Sequence, residues 1–261
     1  MAELTKIDFI AAVKKSRVID PDRLAQWLAA IDAKDAAELA AKMVRDQLLT
    51  KWQAKYIMSG RTRLDIGSYR LLDRMSRDEL GDRFLAVHTQ LGRKVNIQIL
   101  PADLTKDKNR CESFIQKASA TSQLDHPNLV HVYDIDQEGG RYFLVTEHVD
   151  GKSLEELPRD SISVSDVARI VADAVSATRY AHDHDVVHGD ITPKDLLIDA
   201  DHSLRIQHLA ESTVRTSPKH PEINDFQAIA QIAQSILNEF SPTHELESLS
   251  AVIEKLTEGK D

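Results

Sequence analysis

Between residues 182 and 195 the chain gathers imidazoles and carboxylates: His182, Asp183, His184, Asp185, His188, Asp190 and Asp195. Side chains of these two types can ligate a metal ion or carry a proton during catalysis. Metal binding needs several of them to converge on one point, and packed or solvated histidines explain such a run more simply. The stretch Val187-His188-Gly189-Asp190-Ile191-Thr192-Pro193-Lys194-Asp195 leads into the apolar Leu196-Leu197-Ile198. Two carboxylates, Asp190 and Asp195, therefore sit on a loop that feeds a strand. Gln98 stands in the apolar run Val95-Asn96-Ile97-Gln98-Ile99-Leu100, either lining a ligand pocket or pointing inward as an amide satisfied by neighbours.

A core must position these groups, and 261 residues with 42% hydrophobic and 29% charged side chains can build one large domain or two smaller ones. The balance of 33 basic against 42 acidic residues gives a formal charge of −9, which disfavours nucleic-acid and anionic-membrane partners. The lone Cys111 cannot form an intramolecular disulfide and suits a reducing compartment. No apolar run approaches the roughly 18 residues of a membrane span, and Met1-Ala2-Glu3-Leu4-Thr5-Lys6 does not open like a secretory signal. A cytoplasmic protein is the expectation.

Residues 1 to about 60 read as short helices. Asp20-Pro21 is a start signal, and Leu24, Trp27 and Leu28 recur at helical spacing. Thr50 can cap a helix carrying Trp52, Tyr56 and Ile57, with Gly60 beyond its end. From Tyr69 the pattern turns to strands at Tyr69–Leu72, Arg83–Val87 and Lys94–Leu100, with two more at Val130–Ile135 and Tyr142–Glu147 around Gly139-Gly140. Ser163-Val164-Ser165-Asp166 opens a helix with Val167, Ile170, Val171, Ala174 and Val175 on one face. The period returns from Asp225 through Phe226, Ile229, Ile232 and Ile236, and a last helix carries Leu246, Leu249, Ile253 and Leu256.

The loop around Asp190 resembles the catalytic loop of a protein kinase, His-Arg-Asp-Leu-Lys-Pro-x-Asn followed by an apolar strand. His126-Pro127-Asn128-Leu129-Val130 resembles the turn after the family's C-helix. Leu144-Val145-Thr146-Glu147-His148-Val149-Asp150-Gly151 resembles the fifth strand and hinge, with Thr146 as gatekeeper. The segment from Leu48 to Arg61 is similar to the helical leader before many bacterial Ser/Thr kinase domains. The resemblance implies an α+β, bilobal kinase-like fold, with a β-rich N-lobe over about 69–149 and a reduced helical C-lobe over about 150–261. A helical region, 1–62, would precede a kinase-like domain, 63–261. The resemblance also puts His182 at a helix end and packs His188 internally beside Leu209.

The polar groups depart from that pattern. Gly189, Thr192 and Asp195 stand for the family's arginine, lysine and magnesium-binding asparagine. In the glycine-rich loop, aligned with Met75–Asp82, only Gly81 remains. Asp78, Glu79 and Asp82 bring anions there, with Arg77 to offset one, and Asp82 takes the place of a valine that packs on adenine. Gln98 replaces the phosphate-binding lysine, Asn96 replaces a small residue lining the adenine site, and Lys117 stands at the C-helix glutamate. His208-Leu209-Ala210 replaces Asp-Phe-Gly, and imidazole is a poor ligand for magnesium. Each lost charge-stabilising donor costs about 3 kcal/mol of transition-state stabilisation.

The long activation segment has at best a shortened echo in His220-Pro221-Glu222, and Ser217-Pro218 reads as an exposed turn rather than a phosphorylation target. The resemblance thus implies a pseudokinase, a scaffold or regulator of a protein partner such as an active kinase. No catalytic residue is expected, Asp190 being vestigial. Any nucleotide pocket would use Gly81, Gln98, Glu147, Val149 and Asp195, and neither a metal site nor a cofactor is expected. The alternatives are a divergent Ser/Thr kinase using ATP, Mg²⁺ and relocated cations such as Arg77 or Lys117, or a metal-free nucleotide-binding switch.

Overall fold

Four short capped helices open the chain: α1 (Lys6–Ser16), α2 (Pro21–Ala30), α3 (Ala36–Arg45) and α4 (Lys51–Met58). The computed structural model describes residues 4–78, 81–158, 161–210, 221–240 and 244–257. Thr5, Asp20, Asp35 and Thr50 each accept a hydrogen bond from a first-turn N–H, which satisfies donors that a helix start otherwise leaves unpaired. Buried Phe9, Val13, Leu24, Leu39, Met43 and Ile57 knit the four into one small core.

The chain forms two compact units, residues 1–101 with 136–143, and residues 102–135 with 144–261. The helical region thus shares a unit with the strands that follow it. In the first unit, β1 (Asp65–Ile66), β2 (Tyr69–Asp78), β3 (Gly81–His88) and β4 (Lys94–Ile99) pair antiparallel in sequence order. Beside β4 lie β6 (Arg141–Glu147) and then β5 (Val132–Glu138), of which the tip, 136–143, belongs to this unit. Gln53 ties α4 to the sheet. Its side-chain oxygen accepts the Thr50 N–H in a capping box, while its amide donates to the Leu71 carbonyl at 2.7 Å. Trp52 packs edge-on against Phe84 of β3, with ring centroids 5.3 Å apart.

The second unit begins with α5 (Ala102–Lys106) and α6 (Lys108–Thr121). Its main core lies around α7 (Val164–Asp183), α8 (Pro221–Leu237) and α9 (His244–Thr257), where Val167, Ala174, Ala177, Ile229 and Ile253 are buried. The capping box expected at Ser163 and Asp166 starts α7. A small antiparallel sheet, β7 (Gly151–Ser153), β8 (Leu196–Asp199) and β9 (Leu204–Ile206), carries the loops of interest. The turn 128–130 is laced to β9, Val130 N–H donating to the Ile206 carbonyl at 2.8 Å and Ile206 N–H to the Asn128 carbonyl at 2.7 Å.

Gly81 has a packing reason to be glycine. Its φ is +108°, and a Cβ built there would lie 2.0 Å from the Ile99 carbonyl oxygen. Both the left-handed backbone and the backbone contact penalise any side chain. Gly81→Ala is expected to destabilise the protein by about 3 kcal/mol, read as a lower urea midpoint at unchanged slope.

Candidate functional site

In the first unit, alternation along the strands sorts the polar residues onto two faces. Arg83 pairs with Gln98 and Leu85 with Asn96 across β3 and β4, so Arg83, Asn96 and Gln98 share one face. All three are buried, and Arg83 Nε donates to Gln98 Oε1 at 3.0 Å. The position expected to carry a lysine is thus an amide that accepts from a buried guanidinium. Asp82 lies on the opposite face, where its carboxylate pairs with Arg74. This corrects its placement against adenine. A one-residue step along a strand reverses the side of the sheet, and Arg83 is the side chain that faces with Gln98.

In the second unit, a carboxylate from α8 organises the loop after α7. Asp225 is 1% exposed; its Oδ2 accepts the His188 N–H and the His182 Nε2–H, each at 2.9 Å, and its Oδ1 accepts the Gly189 N–H at 2.6 Å. Gly189 adopts φ +80°, a conformation a larger residue strains to reach. His188, 2% exposed, donates through Nε2 to the Gln207 carbonyl at 3.0 Å. Asp190 is half-buried, and its N–H points to His188 Nδ1 at 3.4 Å.

Asp195 is fully buried, and both its oxygens are engaged. Oδ2 accepts the Thr192 N–H at 2.8 Å and hydroxyl at 2.6 Å, and Oδ1 accepts His208 Nδ1–H at 2.5 Å. Burial alone would raise its pKa. The hydrogen bond from His208, the charges of His188 and His208 and the bond from Thr192 outweigh it and hold Asp195 down to about 2. His208 is held at φ +66°, which turns its ring onto Asp195.

Glu147, at the end of β6, donates its N–H to the His131 carbonyl at 2.8 Å, and its carboxylate pairs with Arg205, which also donates to the Leu129 carbonyl at 3.2 Å. Val149 lies half-buried in the irregular stretch 148–150. Lys117 is half-buried on α6. Glu79, Ser217, Pro218 and His220 fall outside the described residues, while Pro221 and Glu222 open α8. Among the described residues, no three His, Cys, Asp or Glu side chains are grouped to hold a metal ion. No described helix is long and apolar enough to cross a membrane.

Sequence reasoning missed three groups: Arg83, Asp225 and Arg205. Arg83 was legible from β-alternation alone, since it stands opposite Gln98 once the hairpin register is set. Asp225 carried only the signal of an acid opening a helix, and nothing in the sequence joined it to a loop some 36 residues earlier.

A six-stranded sheet carrying a helical leader, and a helical unit with a buried histidine–aspartate loop, are the features of a protein-kinase-type fold. The kinase domain of PknI from Mycobacterium tuberculosis shares it: 18% identity, TM-score 0.59, covering 74% of this chain and 89% of that one. The family described as "Protein kinase domain" matches residues 69–244, and the chain belongs to that family. Serine/threonine-protein kinase PrkC of Bacillus subtilis is 31% identical over 153 residues, covering 58% of this chain and 24% of PrkC. Serine/threonine-protein kinase Pkn1 of Myxococcus xanthus is 28% identical over 132 residues, 51% of this chain and 19% of that protein. The matched regions span a quarter or less of these relatives.

Two outcomes follow for the second unit. The Asp195 carboxyl is more acidic folded than at its ordinary 3.8, so its stabilisation is complete above about pH 4 and fades as pH falls towards 2. In denaturant titrations the stability gap between wild type and Asp195→Asn should therefore narrow by about 2 kcal/mol between pH 5 and pH 2. Asp225→Ala strands buried donors of three residues and should lower stability by about 3 kcal/mol or more in the same titration at pH 7.

Proposed function

We propose that this kinase-family chain does not transfer phosphate and instead acts as a scaffold or regulatory binding module for a protein partner, an active kinase being the partner of first choice. In this reading residues 63–261 are the kinase-like domain, and the helical region 1–62 is built onto its sheet. One observation carries it. The two positions that resemble the family's metal ligands, Asp195 and His208, are bonded to each other at 2.5 Å, and Thr192 occupies the remaining Asp195 oxygen. Magnesium requires oxygen donors in near-octahedral array. Freeing Asp195 for a cation would leave a buried imidazole N–H and a backbone N–H without acceptors, at about 1–3 kcal/mol each. Gln98 adds no charge to offset phosphate, and its oxygen is already taken by Arg83.

A second reading has its own observation. The buried Arg83 guanidinium puts a cation on the face where the family's lysine acts. A divergent Ser/Thr kinase, or a metal-free nucleotide switch, would use that charge, with Asp190 as base in the kinase case. The relocated cation is then Arg83 rather than Arg77, which lies with Asp82 on the other side of the sheet.

At millimolar ATP the melting temperature should be the same within about 1 °C whether Mg²⁺ or EDTA is present, since a metal that the site does not hold adds nothing to stability. A shift of several degrees, with labelled phosphate transfer that disappears in both Asp190→Asn and Arg83→Gln, would establish the kinase reading instead.

A further inference from the structure

The face of the first-unit sheet that carries Asp82 and Phe84 borders a cavity of about 510 Å³. This is the size of a small-ligand pocket. Five arginines line it: Arg61, Arg63, Arg74, Arg77 and Arg141. Three carboxylates share the lining, and each has an arginine partner: Asp65 with Arg70, Asp82 with Arg74 and Glu138 with Arg63. Among the described residues Arg77 and Arg141 have no carboxylate partner, and Arg61 lies over the Tyr56 ring at 5.6 Å from its centroid. All three are exposed.

Like charges gathered in a concave wall repel one another, and the arrangement is relieved by an anion that several of them share. The unit as a whole has the matching sign. It carries 19 basic against 15 acidic side chains, whereas the entire chain has 33 against 42, so this unit is net positive in a net negative chain. Guanidinium forks match phosphate oxygens in geometry as well as charge. The lining is also aromatic: Trp52 and Tyr56 of α4 border the cavity, with ring centroids 4.9 Å apart.

We infer that this cavity binds a small phosphate-bearing ligand of nucleotide size, its phosphates held by Arg61, Arg77 and Arg141 and its uncharged part set against Trp52 and Tyr56. The site is separate from Gln98 and Arg83, which lie on the other face of the same sheet, and it requires no metal. It stands independently of whether the chain is a kinase.

Trp52 is a built-in reporter. The chain has two tryptophans, and Trp27 is held by Asp46 at 3.0 Å and does not line the cavity. In a Trp27→Phe background with EDTA present, titration with sodium tripolyphosphate and with ATP should change Trp52 fluorescence, and calorimetry should give the same affinities. Arg77→Glu/Arg141→Glu should weaken binding by at least about tenfold, each lost charge-assisted bond being worth about 1.5 kcal/mol or more. Lys15→Glu, an exposed charge reversal on α1, should leave it within about twofold; salt should weaken it in all variants. ATP binding tighter than tripolyphosphate confirms the aromatic side chains as part of the site, whereas equal binding overturns their role and leaves the arginines as the recognising groups. No binding of either at millimolar concentration overturns the inference. So does binding that Arg77→Glu/Arg141→Glu leaves unchanged while its melting curve matches the wild type, or capture of phosphopeptides alone. ATP binding that needs Mg²⁺, survives the double variant and is accompanied by labelled phosphate transfer would instead overturn the proposed inactivity, so the two failures are distinguishable.

Discussion

The second unit depends on one buried carboxylate. Asp225 receives two consecutive backbone N–H groups, from His188 and Gly189, and a third hydrogen bond from His182 at the end of α7. A buried carboxylate is costly unless its oxygens are fully hydrogen-bonded, and here the loop itself provides the donors. Helix α7, the loop and helix α8 are therefore fixed as one piece. The neighbouring loop residues need no chemistry of their own to keep their geometry. That explains how the backbone frame persists around Asp190 although the arginine of the family pattern has become Gly189. With φ at +80°, Gly189 is suited to turning the chain onto Asp225 rather than to presenting a side chain.

The elements were largely legible in the sequence, and the pairings were not. Capping signals at Asp20, Thr50 and Ser163 and the strand runs at Tyr69, Arg83 and Lys94 all gave elements that the structure contains. Such signals are local, set by the first turn of a helix or by two-residue alternation. The short strands β1, β7 and β9, at two or three residues each, are too brief to show a period. His208 read as a lost ligand from its residue type alone. That it turns onto Asp195 depends on a left-handed backbone at His208, which imidazole side chains do not announce. Asp82 was misplaced by a single residue, the smallest error alignment can make and the one a strand punishes by reversing faces.

The charge changes in the two units share a logic. At each place a group that would meet metal or phosphate is matched with a neighbour: Gln98 accepts from Arg83, and Asp195 accepts from His208 and Thr192. An unmatched buried polar group costs about 1–3 kcal/mol. A chain of ordinary stability, about 5–15 kcal/mol, tolerates few of them. Changing His208 to the family's aspartate would set two carboxylates against each other, and changing Gln98 to lysine would set an ammonium beside the Arg83 guanidinium. Either reversion by itself is repulsive. The substitutions are therefore coupled in pairs, and restoring a family residue at one position requires changing its partner as well.

Removing one charge alone leaves its former partner unsatisfied, whereas Gln98 and Asp195 each have partners within their own unit. Satisfied polar pairs in a buried setting hold side chains in one arrangement. The consequence is mechanical. Each polar centre is held in place by protein groups alone. The arginine-lined cavity, which lies on the other face of the sheet from Gln98 and is bordered by α4, is placed where occupancy would act on the junction of helices and strands in the first unit.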